Sequence, residues 1–405
     1  MKKVYIYALA YALTAVSCQD NEWGADSATP QAPEIEIPMG AADGELLIKF
    51  VPEMSDILDQ TLTRVGGVAT RSGIPSTDEV LNILGAYHFE RVFPVDPKTE
   101  KRTREAGMHL WYIVRFDKDA DLKEAARQLR KLGEISKIQS NPTLQRAYDP
   151  KKKTLYLSAS DLQHVIRTSE GLTFNDPGLK HQWHYRNAGN YDFVKKDRAE
   201  AIAGADVNCG EAWELCKGDP SIIVAVLDEG VMWSHPDLIA NMWTNEAEEI
   251  GSTEDKDGNG YKGDRYGYNF VKNTGVISWT SADDTGHGTH VAGTIAAENG
   301  NSIGVSGIAG GDGNTGSGVK IMTCQLFDGQ YGATLAAEAK AIKYAADNGA
   351  VVLQCSWGYN SPDANEALGY VPGPKNEQDW ENQYPLEKEA LDYFIHNAGS
   401  PNGVI

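Results

Sequence analysis

Apolar positions fall along this chain in two regimes that divide it near residue 175. Between Glu45 and Tyr148, short apolar runs alternate with amphipathic segments. "ELLIKF" reads as a first strand. "STDEVLNIL" has the capping-box spacing, Ser76 followed by Glu79, ahead of apolar Val80, Leu81 and Leu84, and predicts a helix. "YHFERVFP" and the aromatic "MHLWYIVRF" read as strands. "DLKEAARQLRKLG" places Leu122, Ala126, Leu129 and Leu132 on one helical face, with Gly133 as the expected stop. "ISKIQ" supplies a last strand. The order β-α-β-β-α-β predicts a ferredoxin-like α+β sandwich over residues 44–148.

From Asn175 onward the chain becomes Gly-rich, and its apolar runs lengthen. "SIIVAVLD" (Ser221 to Asp228) is continuous and apolar and ends in a carboxylate, as in a strand buried on both faces. "HVAGTIAA" is apolar nearly all round and predicts an interior helix. "VKIMTCQLF" and "AVVLQCS" are further buried strands. Between them "TLAAEAKAIKYAADNG" predicts a helix closed by Gly349. Strands alternating with helices imply an α/β architecture, a parallel sheet with helices on both faces. The charged, weakly patterned residues 149–174, opening on "DPKKKTLYLSAS", read as the linker between the two parts.

Ahead of both parts the pattern changes again. Lys2 and Lys3 precede an apolar run from Val4 to Val16, and Ala15-Val16-Ser17 leads to Cys18. The run is short for a bilayer span and reads as an export signal over residues 1–18. The segment before Cys18 resembles a bacterial lipobox, with Ala15 where leucine is usual, so Cys18 is the expected lipidation site. An ordinary cleaved signal is the other reading. Residues 19–43, rich in Ala, Pro, Asp and Glu, then form a flexible spacer. The expected location is outside the cytoplasm, on a membrane through a lipid anchor or else secreted.

The net charge of −20 argues against a nucleic-acid partner, because phosphate backbones require a positive footprint. Apart from Cys18, the cysteines are Cys209, Cys216, Cys324 and Cys355. They allow three disulfide pairings or none, since buried thiols are common.

Chemistry concentrates where strands end. In a parallel sheet, ligand groups collect at the carboxyl edge, where Asp228 closes one strand and Ser356-Trp357-Gly358 closes another. His287 opens a helix near that edge, in "DDTGHGTHVAGTIAA". The positive end of a helix dipole favours a neutral, base-competent imidazole. A buried carboxylate beside it would hold the tautomer and stabilise the imidazolium formed on proton abstraction. Gly286 and Gly288 would leave room for a nucleophile, and His290 reads as a buried neighbour on the same helix. Taken singly, Asp228 reads equally as a strand-end cap and His287 as a core histidine. A zinc site at His287 and His290 lacks a third ligand nearby. Jointly, aspartate and histidine are two-thirds of an acyl-transfer apparatus.

"VAVLDEGVMWSHPDL" and "DDTGHGTHVAGTIAA" resemble the aspartate and histidine motifs of the subtilisin-like serine proteases, the subtilase family, in the family's order. "VVLQCSWG" resembles the strand that pairs with substrate backbone, and "NDPGLKHQWHYRN" the start of the mature enzyme. The resemblance covers residues 175–405. It implies peptide-bond hydrolysis through an acyl-enzyme, with Asp228 as orienting acid, His287 as general base and Ser356, Trp357 and Gly358 holding an extended protein or peptide substrate. It further implies that residues 44–148 are an inhibitory propeptide, a folding chaperone removed by self-cleavage and thus a partner of the catalytic part. No cofactor is required for that chemistry. Glu229 departs from the family, which usually has Ser or Thr there.

The family's nucleophile lies in Gly-Thr-Ser-x-Ala, and its oxyanion asparagine follows an apolar strand in Ala-Gly-Asn. Gly-Thr occurs here only at Gly288-Thr289 and Gly293-Thr294, before His and Ile, and no Gly-Thr-Ser is present. "NAGSPNGVI" resembles the approach to the asparagine's strand. The expectation is therefore an incomplete catalytic domain, inactive as it stands, because losing the nucleophile costs on the order of 10⁶ in turnover in subtilisin itself. A second reading is a non-catalytic surface lipoprotein whose propeptide-like unit binds or inhibits another protease. Finally, "DKDGNGY" places Asp255, Asp257 and Asn259 at the alternating positions of a half EF-hand, with Tyr266 where the bidentate Glu belongs. A structural calcium and a solvated acidic turn are both open readings of it.

Overall fold

In a computed structural model of the chain, residues 41–64, 68–69, 71–146, 172–189, 202–364 and 372–399 are described. The expected signal with Cys18, nearly all of the spacer, and the linker up to Gly171 lie outside them.

Strand β1 (Ala41–Phe50) shows why "ELLIKF" is continuously apolar. Leu46, Ile48 and Phe50 point into one core with Leu81, Phe89, Tyr112, Val114, Ala126 and Leu129. Leu47 points the other way, into a core shared with Val92, Trp111 and Ile113 and with Ala336, Ala339 and Leu386 from the later part. A sheet covered on both faces needs apolar residues at every position, not at alternate ones.

The first part continues through α1 (Ser55–Arg64), β2 (Val68–Ala69), α2 (Pro75–Ile83), β3 (His88–Arg91), α3 (Glu100–Glu105), β4 (Trp111–Arg115), α4 (Leu122–Leu129) and β5 (Ile135–Pro142). Its sheet order is β2-β3-β4-β1-β5, and every neighbouring pair is antiparallel. Apart from the two-residue β2, this is the expected ferredoxin-like order. The capping box is not formed: α2 opens with Pro75, the Ser76 hydroxyl donates to Glu134, and Asp78 instead accepts from the N–H groups of Ser72 and Gly73. Helix α4 is capped by Asp121, which accepts from Glu124 N–H at 3.0 Å, and ends at Leu129 rather than at Gly133.

The second part holds α5 (Cys209–Leu215), β6 (Ile223–Glu229), β7 (Gly267–Asn269), α6 (His287–Ala296), β8 (Lys320–Asp328), β9 (Tyr331–Gly332), α7 (Leu335–Asp347), β10 (Val352–Cys355), α8 (Glu377–Gln383) and α9 (Pro385–Asn397). Strands β10-β6-β8-β7 form a parallel sheet in that order, and β9 folds back antiparallel on β8. Along β6, Val224 and Val226 pack with Ala292 and Ala296 of α6, while Ala225 and Leu227 pack toward α7 and α9. Helices thus cover both faces, and the chain is α/β with an antiparallel α+β unit ahead of the parallel sheet. Cys209, Cys216, Cys324 and Cys355 are all free thiols.

The outer face of the first sheet lies on α7 and α9. Asn141 Oδ1 accepts from Ala336 N–H and Gln139 Oε1 from Leu386 N–H, both at 2.9 Å, so side chains of β5 satisfy opening N–H groups of both helices. Lys49 and the Trp111 indole N–H both meet Glu389, at 2.7 Å. Arg102 pairs with Asp347 at 2.8 Å.

Candidate active site

The apolar run of β6 ends in two consecutive buried carboxylates, Asp228 and Glu229, at the carboxyl end of a strand flanked on both sides. Helix α6 begins beside them. Gly286 precedes it with φ of +79°, a conformation that favours glycine. A β-carbon on Gly288 would lie 2.2 Å from the backbone oxygen of Glu229. The space at Gly288 therefore admits the end of β6, not an approaching nucleophile as the sequence suggests, and this close approach brings the two motifs together.

His287 Nδ1 lies 2.8 and 2.9 Å from the two carboxylate oxygens of Asp228. With Asp228 ionised, Nδ1–H donates and the lone pair resides on Nε2. Asp228 also accepts from Glu229 N–H at 2.6 Å. The bond to Asp228 raises the His287 pKa above the ordinary imidazole value; burial opposes it, the charges of Asp228 and Glu229 add to it, and that of Arg146 subtracts. This direction is opposite to the one a helix dipole alone favours. His290 is on the same helix but exposed, and α6 buries one stripe, Gly288, Ala292 and Ala296, rather than its whole circumference.

Glu229 is more than a departure from pattern. Its Oε2 accepts from the N–H groups of Thr285, Gly286 and His287 at 3.0, 3.0 and 3.1 Å. An anion thereby answers the N–H groups and the positive dipole that open α6. Its Oε1 lies 3.1 Å from a guanidinium nitrogen of Arg146, which follows β5. The same nitrogen is 3.5 Å from Asp284, and the guanidinium stands 5.5 Å from the Phe327 ring centre. Arg146 belongs to none of the motifs that mark the site in the sequence. The available signal was Glu229 itself, since a second carboxylate at the end of a buried strand calls for a cation.

Ser356, Trp357 and Gly358 leave β10. The Trp357 indole donates to the Leu227 carbonyl at 3.1 Å, tying this segment to the residue before Asp228. Ser356 Oγ accepts from Gln354 at 3.1 Å, and the space beside Gly358 is open. Among the described residues β10 pairs only with β6.

Asp255, Asp257 and Asn259 all accept hydrogen bonds from their own loop. Asp255 accepts from the N–H groups of Gly258, Asn259 and Gly260, and Asn259 Oδ1 from that of Tyr261. The carboxylates that approach one another are Glu248, Asp257 and Asp264, one oxygen of each within 4.8 Å of the others. Only Asp257 belongs to both sets, and Lys98 lies 3.3 Å from it. Glu248 receives the N–H groups of Lys256, Asp257 and Gly263, and Asp264 the Tyr344 hydroxyl. Loop N–H groups and the Tyr344 hydroxyl thus orient these carboxylates.

With this geometry in place, comparison with known families matches residues 219–398 to the model of the subtilase family. Residues 219–398 belong to the subtilase family. Within the subtilases, subtilisin-like protease 1 of Plasmodium vivax is 31% identical over 195 residues, which is 48% of this chain and 26% of that protein. The thermophilic serine proteinase of Bacillus sp. strain AK1 is 35% identical over 147 residues, 36% of this chain and 28% of that protein. This chain thus spans between a quarter and a third of the length of these relatives. Among solved structures, fervidolysin from Fervidobacterium pennivorans, a keratinolytic enzyme related to subtilisin, aligns over 91% of this chain and 41% of its own, with 18% identity and a TM-score of 0.44. No described helix is long and apolar enough to cross a membrane.

Proposed function

We propose that this chain carries the acid–base half of a subtilisin-like serine endopeptidase site, joined to its own propeptide. Asp228 orients His287, and His287 Nε2 takes the proton of a serine hydroxyl as that oxygen attacks a peptide carbonyl. The proton then passes from the imidazolium to the leaving amine. Ser356, Trp357 and Gly358, just after β10, hold the extended substrate backbone by strand addition. Residues 44–148 act as the propeptide, seated on α7 and α9 and sending the segment after β5 toward His287. The enzyme works outside the cytoplasm, by lipid attachment at Cys18 or by secretion. The observation that carries the reading is the Nδ1–carboxylate contact of 2.8 Å at the carboxyl edge of the sheet, within a subtilase segment.

In this reading the nucleophile is not among the 405 residues, none of which sits in a Gly-Thr-Ser motif. The test joins the chain to whatever the downstream reading frame encodes and treats both forms with a fluorophosphonate. The 405 residues alone are expected to stay unlabelled. A downstream segment containing Ala-Gly-Asn and Gly-Thr-Ser is expected to confer labelling that His287→Ala abolishes. Labelling of the short form, or labelling indifferent to His287, overturns the proposal.

A further inference from the structure

We infer that the acidic pocket formed by Glu229, Asp284 and Phe327 beside His287 is a subsite for an arginine side chain, filled in cis by Arg146 and open to a substrate's arginine once that segment departs. The inference rests on the proposed role of His287 and adds a substrate class to it.

The pocket belongs to the subtilase segment, and its occupant comes from the preceding unit. Both carboxylate side chains are 1% exposed and that of Arg146 is 8% exposed, so the contact is made almost entirely out of water. Glu229 has committed Oε2 to the helix and turns Oε1 toward the guanidinium. Asp284 accepts from Ser281 and Gly329 N–H at 2.9 and 2.7 Å, which fixes its orientation. The nearby Asp328 is answered separately by Lys272 at 2.8 Å, so that lysine does not serve this pocket. Without a cation here, Glu229 and Asp284 would be two buried carboxylates beside a third, Asp228, which is costly. A planar guanidinium suits the shape better than an ammonium, because it spans two carboxylates and lays its plane near an aromatic ring.

The way Arg146 arrives points to substrate rather than to a purely internal ion pair. Thr143 forms an antiparallel bridge with Thr334, and Leu144 N–H donates to the Ala333 carbonyl at 2.8 Å. Two residues later Arg146 enters the pocket, close enough for its charge to act on His287. An extended segment held by backbone hydrogen bonds with a side chain in a neighbouring pocket is how peptides are recognised by strand addition.

The test uses the 405-residue Arg146→Ala chain, titrated with N-acetyl-arginine amide and its neutral isostere N-acetyl-citrulline amide. Binding is followed by the His287 Hε1 resonance and by Tm. The arginine derivative is expected to bind saturably, roughly 10- to 100-fold tighter than the citrulline derivative, as for a charge-assisted hydrogen bond. It should bind neither the wild-type chain, whose pocket is filled, nor the Arg146→Ala/Glu229→Gln chain. Equal binding of both derivatives, or binding to wild type as tight as to Arg146→Ala, overturns the inference. Arg146→Gln, which keeps most of the side-chain bulk, takes the same titration if Arg146→Ala does not fold. Failure of both variants to fold even with excess arginine derivative also counts against a pocket that accepts the group from solution. A missing downfield Nδ1 proton at His287 sinks the base assignment alone, since the Tm comparison still reads the pocket.

Discussion

Replacing Asp228 with asparagine tests the pairing at the centre of the site without needing a nucleophile. Asparagine retains an oxygen that can accept from His287 Nδ1–H but removes the charge that stabilises the imidazolium. A carboxylate in contact shifts a neighbouring pKa by roughly 1–3 units. The His287 side chain is 31% exposed, so solvent screens part of that effect. With burial and Arg146 still acting to lower it, His287 in Asp228→Asn is expected to titrate below wild type. The sign carries into stability. A histidine raised on folding contributes stability that is complete below its unfolded pKa of about 6.5 and is lost as pH rises through the folded value. Wild type should therefore lose that contribution between mildly acidic and alkaline pH, and Asp228→Asn should not. The measurements are an NMR titration of the His287 Hε1 resonance and urea unfolding at both ends of the range. A His287 pKa in Asp228→Asn within about 0.3 units of wild type would refute the reasoning, since the contact would then carry no charge coupling.

Three further outcomes follow from the packing. Gly288→Ala gains helix propensity but drives a methyl to 2.2 Å from the Glu229 carbonyl oxygen; it is expected to lower stability by about 1–3 kcal/mol in urea unfolding, and an increase would contradict the close approach. Asn141→Ala and Gln139→Ala each remove one acceptor from a helix start, costing about 0.5–2 kcal/mol apiece; because they serve different helices, the double variant should be additive within about 0.5 kcal/mol by Tm and urea. Glu338, 1% exposed beside Glu387, has its pKa raised by burial and then by that neighbour, so the folded state keeps a proton that the unfolded state releases. Stability should thus fall as pH rises above the unfolded carboxyl pKa of about 4.3, by up to about 1.4 kcal/mol per unit, and Glu338→Gln should remove that slope; an unchanged slope would mean Glu338 is ionised in the fold.

Much of the architecture was legible because burial leaves a one-dimensional trace. A strand covered on both faces has to be apolar at every position, which is why "SIIVAVLD" and "ELLIKF" announced themselves. The positions of Asp228 and His287 were legible because the residues around them are held to narrow types: a strand end, a left-handed Gly286, and a Gly288 pressed against β6. The capping box misled, since Ser76 and Glu79 have the right spacing but Pro75 starts the helix and Glu134 draws the Ser76 hydroxyl away. The alternation of Asp255, Asp257 and Asn259 likewise does not record which side chains accept N–H groups of their own loop, as Asp255 and Asn259 do.

By itself, then, the sequence determined the principal strands and helices and singled out Asp228 and His287, because local pattern and short motifs carry both. Only the tertiary structure decided the partners of Glu229. Its carboxylate is answered by N–H groups 56 to 58 positions away and by an arginine from the unit before it. No local periodicity records such a meeting, which exists only once β5, β6 and α6 are packed together and water is excluded.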